Sequence, residues 1–108
     1  MPRVEVIFFQ EAEGGTPPLV DWLDSLPEKA RLKCLVRLKR LEDLGHELRR
    51  PEADYLRDGI YELWASHQGA HYRMLYFFHG RAAVVLTHGV VKEREVPTKE
   101  IDKAILVS

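Results

Sequence analysis

Between Ile60 and His88, three runs rich in β-branched and aromatic residues follow one another with only short links. Ile60–Ser66 stops before His67-Gln68-Gly69, His71–Phe78 ends at His79-Gly80, and Ala82–His88 follows. Links this short cannot carry a crossover, so the three strands must be antiparallel neighbours. His79-Gly80 predicts a two-residue hairpin, because Gly accepts positive φ freely and His does so better than most residues. Gly89 is then expected to bend the chain. Alternation along His71–Phe78 places Tyr72, Met74, Tyr76 and Phe78 on one face, with His71, Arg73, Leu75 and Phe77 on the other. Arg73 thus falls among apolar neighbours inside a sheet, where a guanidinium needs a partner or a task.

The rest of the chain can be arranged around this sheet. Val4–Gln10 predicts a further strand, closed by the polar, Gly-containing Glu11–Gly15. Thr16 as N-cap and Pro17 in the first turn open a short helix whose apolar face is Leu19, Val20, Leu23 and Leu26. Pro27 opens a second helix, carried by Ala30, Cys34, Leu38 and Leu41 and stopped by Gly45. Residues 46–58 are expected to be irregular, broken by Pro51 and pinned by Tyr55 and Leu56. Pro97–Val107 predicts a last helix, with Ile101, Ala104 and Ile105 on one face. The order β, α, α, β, β, β, α predicts an α+β fold: one compact, curved antiparallel sheet with the N-terminal helical hairpin and the C-terminal helix packed on one face. A length of 108 residues fits a single domain spanning 1–108.

Composition narrows the class. At 45% hydrophobic and 31% charged residues, the chain is not of the disordered type. No apolar run approaches the roughly 20 residues of a membrane helix. Met1-Pro2-Arg3-Val4-Glu5 does not resemble a secretory leader, so a soluble cytoplasmic protein is expected. The one cysteine, Cys34, lies on the apolar stripe of the second helix and is expected to be a core residue, not a nucleophile. The formal net charge is −1, which gives no overall basic signal for nucleic acid. The charge is uneven, however. Residues 1–28 hold one Arg against six acids, residues 29–50 eight basic against three acidic, and residues 51–108 seven against eight. Internal pairing between the first two segments is the expected explanation. Nucleotide-binding loops, the zinc-protease helix motif and the nucleophile elbow are all absent from the sequence.

The remaining chemistry lies on the C-terminal sheet: Arg73, His88, Lys92 and Arg94, with His67 and His71 at a strand connection. Metal-independent RNA cleavage needs a base for the 2′-OH, cations for the phosphorane and an acid for the leaving 5′ oxygen. Arg matches phosphate oxygens bidentately, and Lys and His can share proton transfer. Each residue also has a structural alternative. Arg73 can pair with Glu62 across the hairpin, His88 can cap a strand end, and Lys92-Glu93-Arg94-Glu95 can be a solvated strand or turn.

Four ordered stretches carry a family resemblance: Leu56-Arg57-Asp58-Gly59-Ile60-Tyr61-Glu62-Leu63, Tyr72-Arg73-Met74-Leu75-Tyr76-Phe77-Phe78, His88-Gly89-Val90-Val91-Lys92 and Val96 through Ala104. Together they resemble the phage-derived Gp49/HigB-like branch of the RelE/ParE toxin superfamily over about residues 54–106. The resemblance implies a compact antiparallel sheet with N-terminal helices against it. It also implies the toxin of a type II toxin–antitoxin pair, a ribosome-dependent mRNA endoribonuclease using no metal or other cofactor. Its partners would be the ribosome and mRNA, with a helix-turn-helix antitoxin neutralising it. Carried over by motif, Arg73 is a phosphate contact, Lys92 a cation or proton-transfer residue, and His88 a strand-end catalytic candidate. His71, Trp64 and Arg94 are candidate RNA contacts, with no firm motif match for Arg94.

Three positions depart from the family pattern: Trp64 replaces a basic residue, Glu93 replaces a second lysine, and Val90 replaces phenylalanine. Trp64 can stack on a base, or simply belong to the core. The departures keep open a non-catalytic alternative, either a decayed toxin that still binds an antitoxin or a ParE-like gyrase poison. The strand Val4–Phe9 and the second helix are the expected antitoxin contacts.

Overall fold

The computed structural model describes residues 3–92 and 95–108. In chain order the elements are β1 (Glu5–Phe8), α1 (Pro18–Asp24), α2 (Glu28–Leu44), a short 3₁₀ turn (Gly45–Glu47), β2 (Ala53–Arg57), β3 (Ile60–His67), β4 (Ala70–His79), β5 (Ala83–Lys92) and α3 (Thr98–Val107). The strands form one sheet in the order β1-β5-β4-β3-β2. The α+β class and the antiparallel β3–β4–β5 meander are as expected. One pairing differs: β1 lies parallel to β5, Glu5 opposite Ala83 and Phe8 opposite Leu86. The intervening helices and strands supply the long crossover that a parallel pair requires.

Residues 46–58 are not irregular throughout, because β2 pairs antiparallel with β3 from Ala53↔Leu63 to Arg57↔Ile60. Ala and Asp are poor strand formers, so β2 owes its conformation to its neighbour. Asp58 and Gly59 both have positive φ (51° and 84°) and close this hairpin in two residues. Gln68 and Gly69 do the same between β3 and β4. The β4–β5 link is longer than the expected pair, since His79 faces Ala83 across Gly80-Arg81-Ala82. The helix boundaries also shift by one residue: Pro17, not Thr16, sits at the α1 N-cap, and Pro97 at that of α3.

The helices do not share one face. Leu19 and Leu23 of α1 and Ala30, Cys34, Leu38 and Leu41 of α2 pack on Leu63, Met74, Tyr76 and Leu86. Cys34 is fully buried, and burial pushes its thiol up to about 11, so it is a core residue. On the opposite face, Ile101 and Ala104 of α3 cover Ile60 and Leu75. The alternation of β4 supplies apolar residues to both faces, so the sheet needs covering on each.

β5 continues past Gly89 without the expected bend. Gly89 opposes Met74, and a Cβ built there would lie 2.1 Å from Cδ2 of Trp22. The glycine lets the indole lie directly on the strand, where it also meets Tyr72 edge-on at 6.3 Å. Just before it, the register slips. Tyr76 opposes Leu86 whereas Leu75 opposes His88, leaving Thr87 as a bulge residue. Leu86 therefore packs under α1 and α2 while His88, two residues on, points to the α3 face.

Candidate active site

The α3 face of the sheet has a covered half and a more open half. Register places Glu62, Trp64 and Ser66 of β3 across from Leu75, Arg73 and His71 of β4. Val90 and Lys92 of β5 stand across from Arg73 and His71 on the other side. Trp64, Arg73, His71 and Lys92 are thus adjacent on one surface, at the end that α3 leaves uncovered.

Arg73 takes the partner that its burial demands. Its Nη1 donates to Glu62 Oε1 at 2.6 Å, with both side chains about 10% exposed. The Trp64 ring lies over the guanidinium, 5.4 Å from Cζ to centroid. The Arg73 Nε–H is buried with no partner. Both alternatives for Arg73 therefore meet in one residue: an ion pair with Glu62, and a donor still unsatisfied. Trp64 Nε1–H donates to Nδ1 of His71 at 2.9 Å. An indole N–H is only a donor, so His71 Nδ1 must accept, and in the neutral ring the proton is on Nε2. The polar chain runs Glu62–Arg73–Trp64–His71, with Lys92 exposed at its end. A cavity of about 260 Å³ adjoins it, lined by Arg50, Pro51, Ala53, Asp54, Glu62 and Trp64.

His88 lies farther along the same face, across from Leu75 and against α3. It is 7% exposed. Nδ1 is 2.9 Å from Thr87 Oγ1 and Nε2 is 3.0 Å from Glu100 Oε1. Burial, aided by Lys103, holds its pKa below the usual 6.5, against the pull of Glu100. In the neutral ring Nε2–H donates to Glu100 and Thr87 Oγ–H donates to Nδ1. Nε2 thus joins β5 to α3, while Nδ1 is held by Thr87 of the same strand. Thr87 and Glu100, which complete this arrangement, carried no signal in the sequence, since the first depends on a bulge and the second on which face α3 covers. Arg94 lies outside the described residues.

The His88 environment has a pH consequence. A lowered folded-state pKa means that the unfolded chain binds more protons through this window. The contribution is present above about 6.5 and is lost as pH falls through the folded-state value. Urea midpoints are expected to drop between pH 7.5 and 5.5 in the wild type, and to drop less in His88→Gln. Equal drops would remove His88 as the cause.

The basic stretch 29–50 is partly neutralised, but not by the acids of residues 1–28. Arg37 and Arg40 share Glu52, Lys39 meets Glu42 and Asp43, and Arg50 meets Asp54. The ion pairs that join the two segments run the other way, from Arg3 of the first to Glu42 and Asp43 of the second. Arg37 Nε also donates to the Trp64 carbonyl at 2.9 Å, and Lys33 to that of Ser66 at 3.2 Å, fixing α2 behind the site strand. No group of three or more His, Cys, Asp or Glu placed to hold a metal occurs among the described residues. Nor is any described helix long and apolar enough to cross a membrane.

Residues 21–106 match the model of the phage-derived Gp49-like protein family. The chain belongs to the Gp49-like family. This match takes in all the resembling stretches, the paired β3–β4 hairpin and the strand bearing His88-Gly89. The chain is also 29% identical, over 98 residues, to a protein described as probable endoribonuclease HigB1 from two strains of Mycobacterium tuberculosis, CDC 1551 / Oshkosh and ATCC 25618 / H37Rv. That alignment covers 91% of this chain and 77% of the relative. Family and relative agree with the Gp49/HigB-like resemblance of the four ordered stretches.

Proposed function

We propose that this Gp49-like chain is the toxin of a type II toxin–antitoxin pair and acts as a ribosome-dependent mRNA endoribonuclease. The observation that carries the reading is the Trp64–Arg73–His71 array beside exposed Lys92, on the half of the sheet that α3 leaves open. The HigB1 relative is described as an endoribonuclease, which supports the class of reaction. In this reading Trp64 presents a ring for a base, and the arginine beneath it keeps that ring in place. Lys92 supplies a mobile cation to the phosphate. His71, with its proton directed to Nε2 by the indole, donates toward the leaving oxygen. His88 acts from a distance, as a positioning residue that holds α3 at the site's border. The charge of Arg73 is already balanced by Glu62, so Lys92 carries the electrostatic work that two neighbouring lysines would otherwise share.

A helix-turn-helix antitoxin is the proposed partner, docking on β1 and α2. Ile7 on β1 and Leu32, Leu35 and Val36 on α2 are exposed apolar side chains, which supports that surface. The cytoplasm, where translated mRNA occurs, is the proposed location.

The test is a cell-free translation reaction with a reporter mRNA carrying or lacking its start codon. Cleavage of the translated transcript alone is expected, with loss of cleavage in Lys92→Ala. Equal cleavage of both transcripts would refute ribosome dependence. The Glu62–Arg73 pair specifically favours a second reading, a binder without RNase activity, because it occupies the guanidinium with a carboxylate. That reading expects both transcripts intact, and a gyrase poison would cleave DNA in the same extract.

A further inference from the structure

The edge strand β2 has a concavity on each side, and the two share residues. The cavity beside Trp64 on the α3 face is lined in part by Arg50, Ala53 and Asp54. A larger one of about 570 Å³ on the α2 side is lined by those same three residues together with His46, Leu48, Arg49, Tyr55 and Tyr61. They meet at the β2 edge, where no further strand covers the backbone.

The lining of the larger cavity is aromatic and cationic. Tyr55 is 52% exposed. Its ring is held on two sides, since its hydroxyl accepts from the Gly59 N–H at 3.1 Å and Tyr61 meets it edge-on at 5.1 Å. His46 lies flat on Phe78, ring centroids 3.6 Å apart. Arg49 bonds the carbonyls of His46 and Leu48 and has no carboxylate partner among the described residues. Arg50 is paired with Asp54 at 2.7 Å, but its side chain is 80% exposed and an exposed pair of this kind is weak. Asp54 is the one carboxylate that opposes an anion here. Exposed rings alternating with cations along a groove are the features that bind single-stranded nucleic acid without base-specific contacts.

We infer that single-stranded RNA leaving the Trp64–Arg73 site turns around the β2 edge past Arg50 and continues into the His46–Arg49–Tyr55 groove. The inference rests on the proposed RNA-cleaving site and extends it to flanking nucleotides on the opposite side of the sheet. It gives the basic stretch 29–50 a use beyond internal pairing, through Arg49 and Arg50 at its end.

Fluorescence anisotropy with labelled oligouridylates tests it, using a trinucleotide and a dodecanucleotide. The longer strand is expected to bind about tenfold tighter. Tyr55→Leu and Arg49→Gln should each remove most of that gain and leave the trinucleotide unchanged. Arg49→Gln should also lower the log–log salt slope for the dodecanucleotide by about 0.7. Trp64→Ala should weaken both strands. Circular dichroism confirms that the variants are folded. Equal affinity for the two lengths, or no effect of Tyr55→Leu and Arg49→Gln, overturns the path. Loss of trinucleotide binding in Trp64→Ala would then still leave the Trp64 site standing. Dodecanucleotide binding that needs Tyr55 but ignores Trp64→Ala would overturn the continuous path and speak against the RNA site on the α3 face. Failure of both strands to bind overturns the inference outright.

Discussion

Glu62→Ala is expected to lower the unfolding free energy by about 3–5 kcal/mol, enough to leave a domain of this size marginal. The reason is the buried pair. Glu62 and Arg73 are 7% and 8% exposed, and Nη1 sits 2.6 Å from Oε1. Removing the carboxylate strands a guanidinium that already has one unsatisfied donor at Nε. Replacing both partners is a different experiment. Glu62→Leu with Arg73→Met removes both charges and fills similar volume, so most of the lost stability should return. Chemical denaturation of the three proteins decides the matter. A single variant within about 0.5 kcal/mol of wild type would mean that the pair behaves like a surface salt bridge.

Gly89→Ala is the second large effect. The φ at Gly89 is not in the left-handed region, so the backbone would accept alanine, and in an open strand the change would be mild. The obstacle is space. The added methyl would lie 2.1–2.4 Å from three atoms of the Trp22 ring. The indole would have to leave its place against β5 and Tyr72, at a cost of about 1–3 kcal/mol. A fall in Tm on the order of 10 °C follows. Trp22→Leu should relieve the clash, so the Gly89→Ala change should cost clearly less in that background. Equal penalties in both backgrounds would show that Trp22 is not the obstacle. The glycine of the His-Gly stretch is thereby explained by packing, whatever the chemistry nearby.

What could be read in the sequence, and what could not, follows from the range of the forces involved. Period-2 alternation along His71–Phe78 is a local signal, and it places Arg73, His71 and Leu75 together on one face, as the structure does. The short links made the antiparallel meander unavoidable. β2 was missed because Ala53–Arg57 has weak intrinsic preference and becomes a strand only by pairing with β3. Its signal was nonetheless present, in the Asp58-Gly59 pair that closes the hairpin with positive φ at both residues. The parallel β1–β5 pairing joins the two ends of the chain and leaves no local trace. The Thr87 bulge breaks the alternation, so the face of His88 and its bond to Glu100 needed coordinates. At the site, the Arg73–Glu62 pair follows from the alternation as one of two alternatives. The Trp64–His71 hydrogen bond does not, because it depends on how two side chains on neighbouring strands are turned.

The most direct test of the central claim maps transcript 5′ ends in cells after inducing the wild type or the Glu62→Leu/Arg73→Met pair. The double variant keeps the strand and the fold while removing the guanidinium beneath Trp64. The wild type should generate new 5′ ends inside reading frames, and the double variant should generate none. Identical ends from both proteins, or intact transcripts from well-expressed, folded wild type, would contradict an RNA-cleaving site at Arg73.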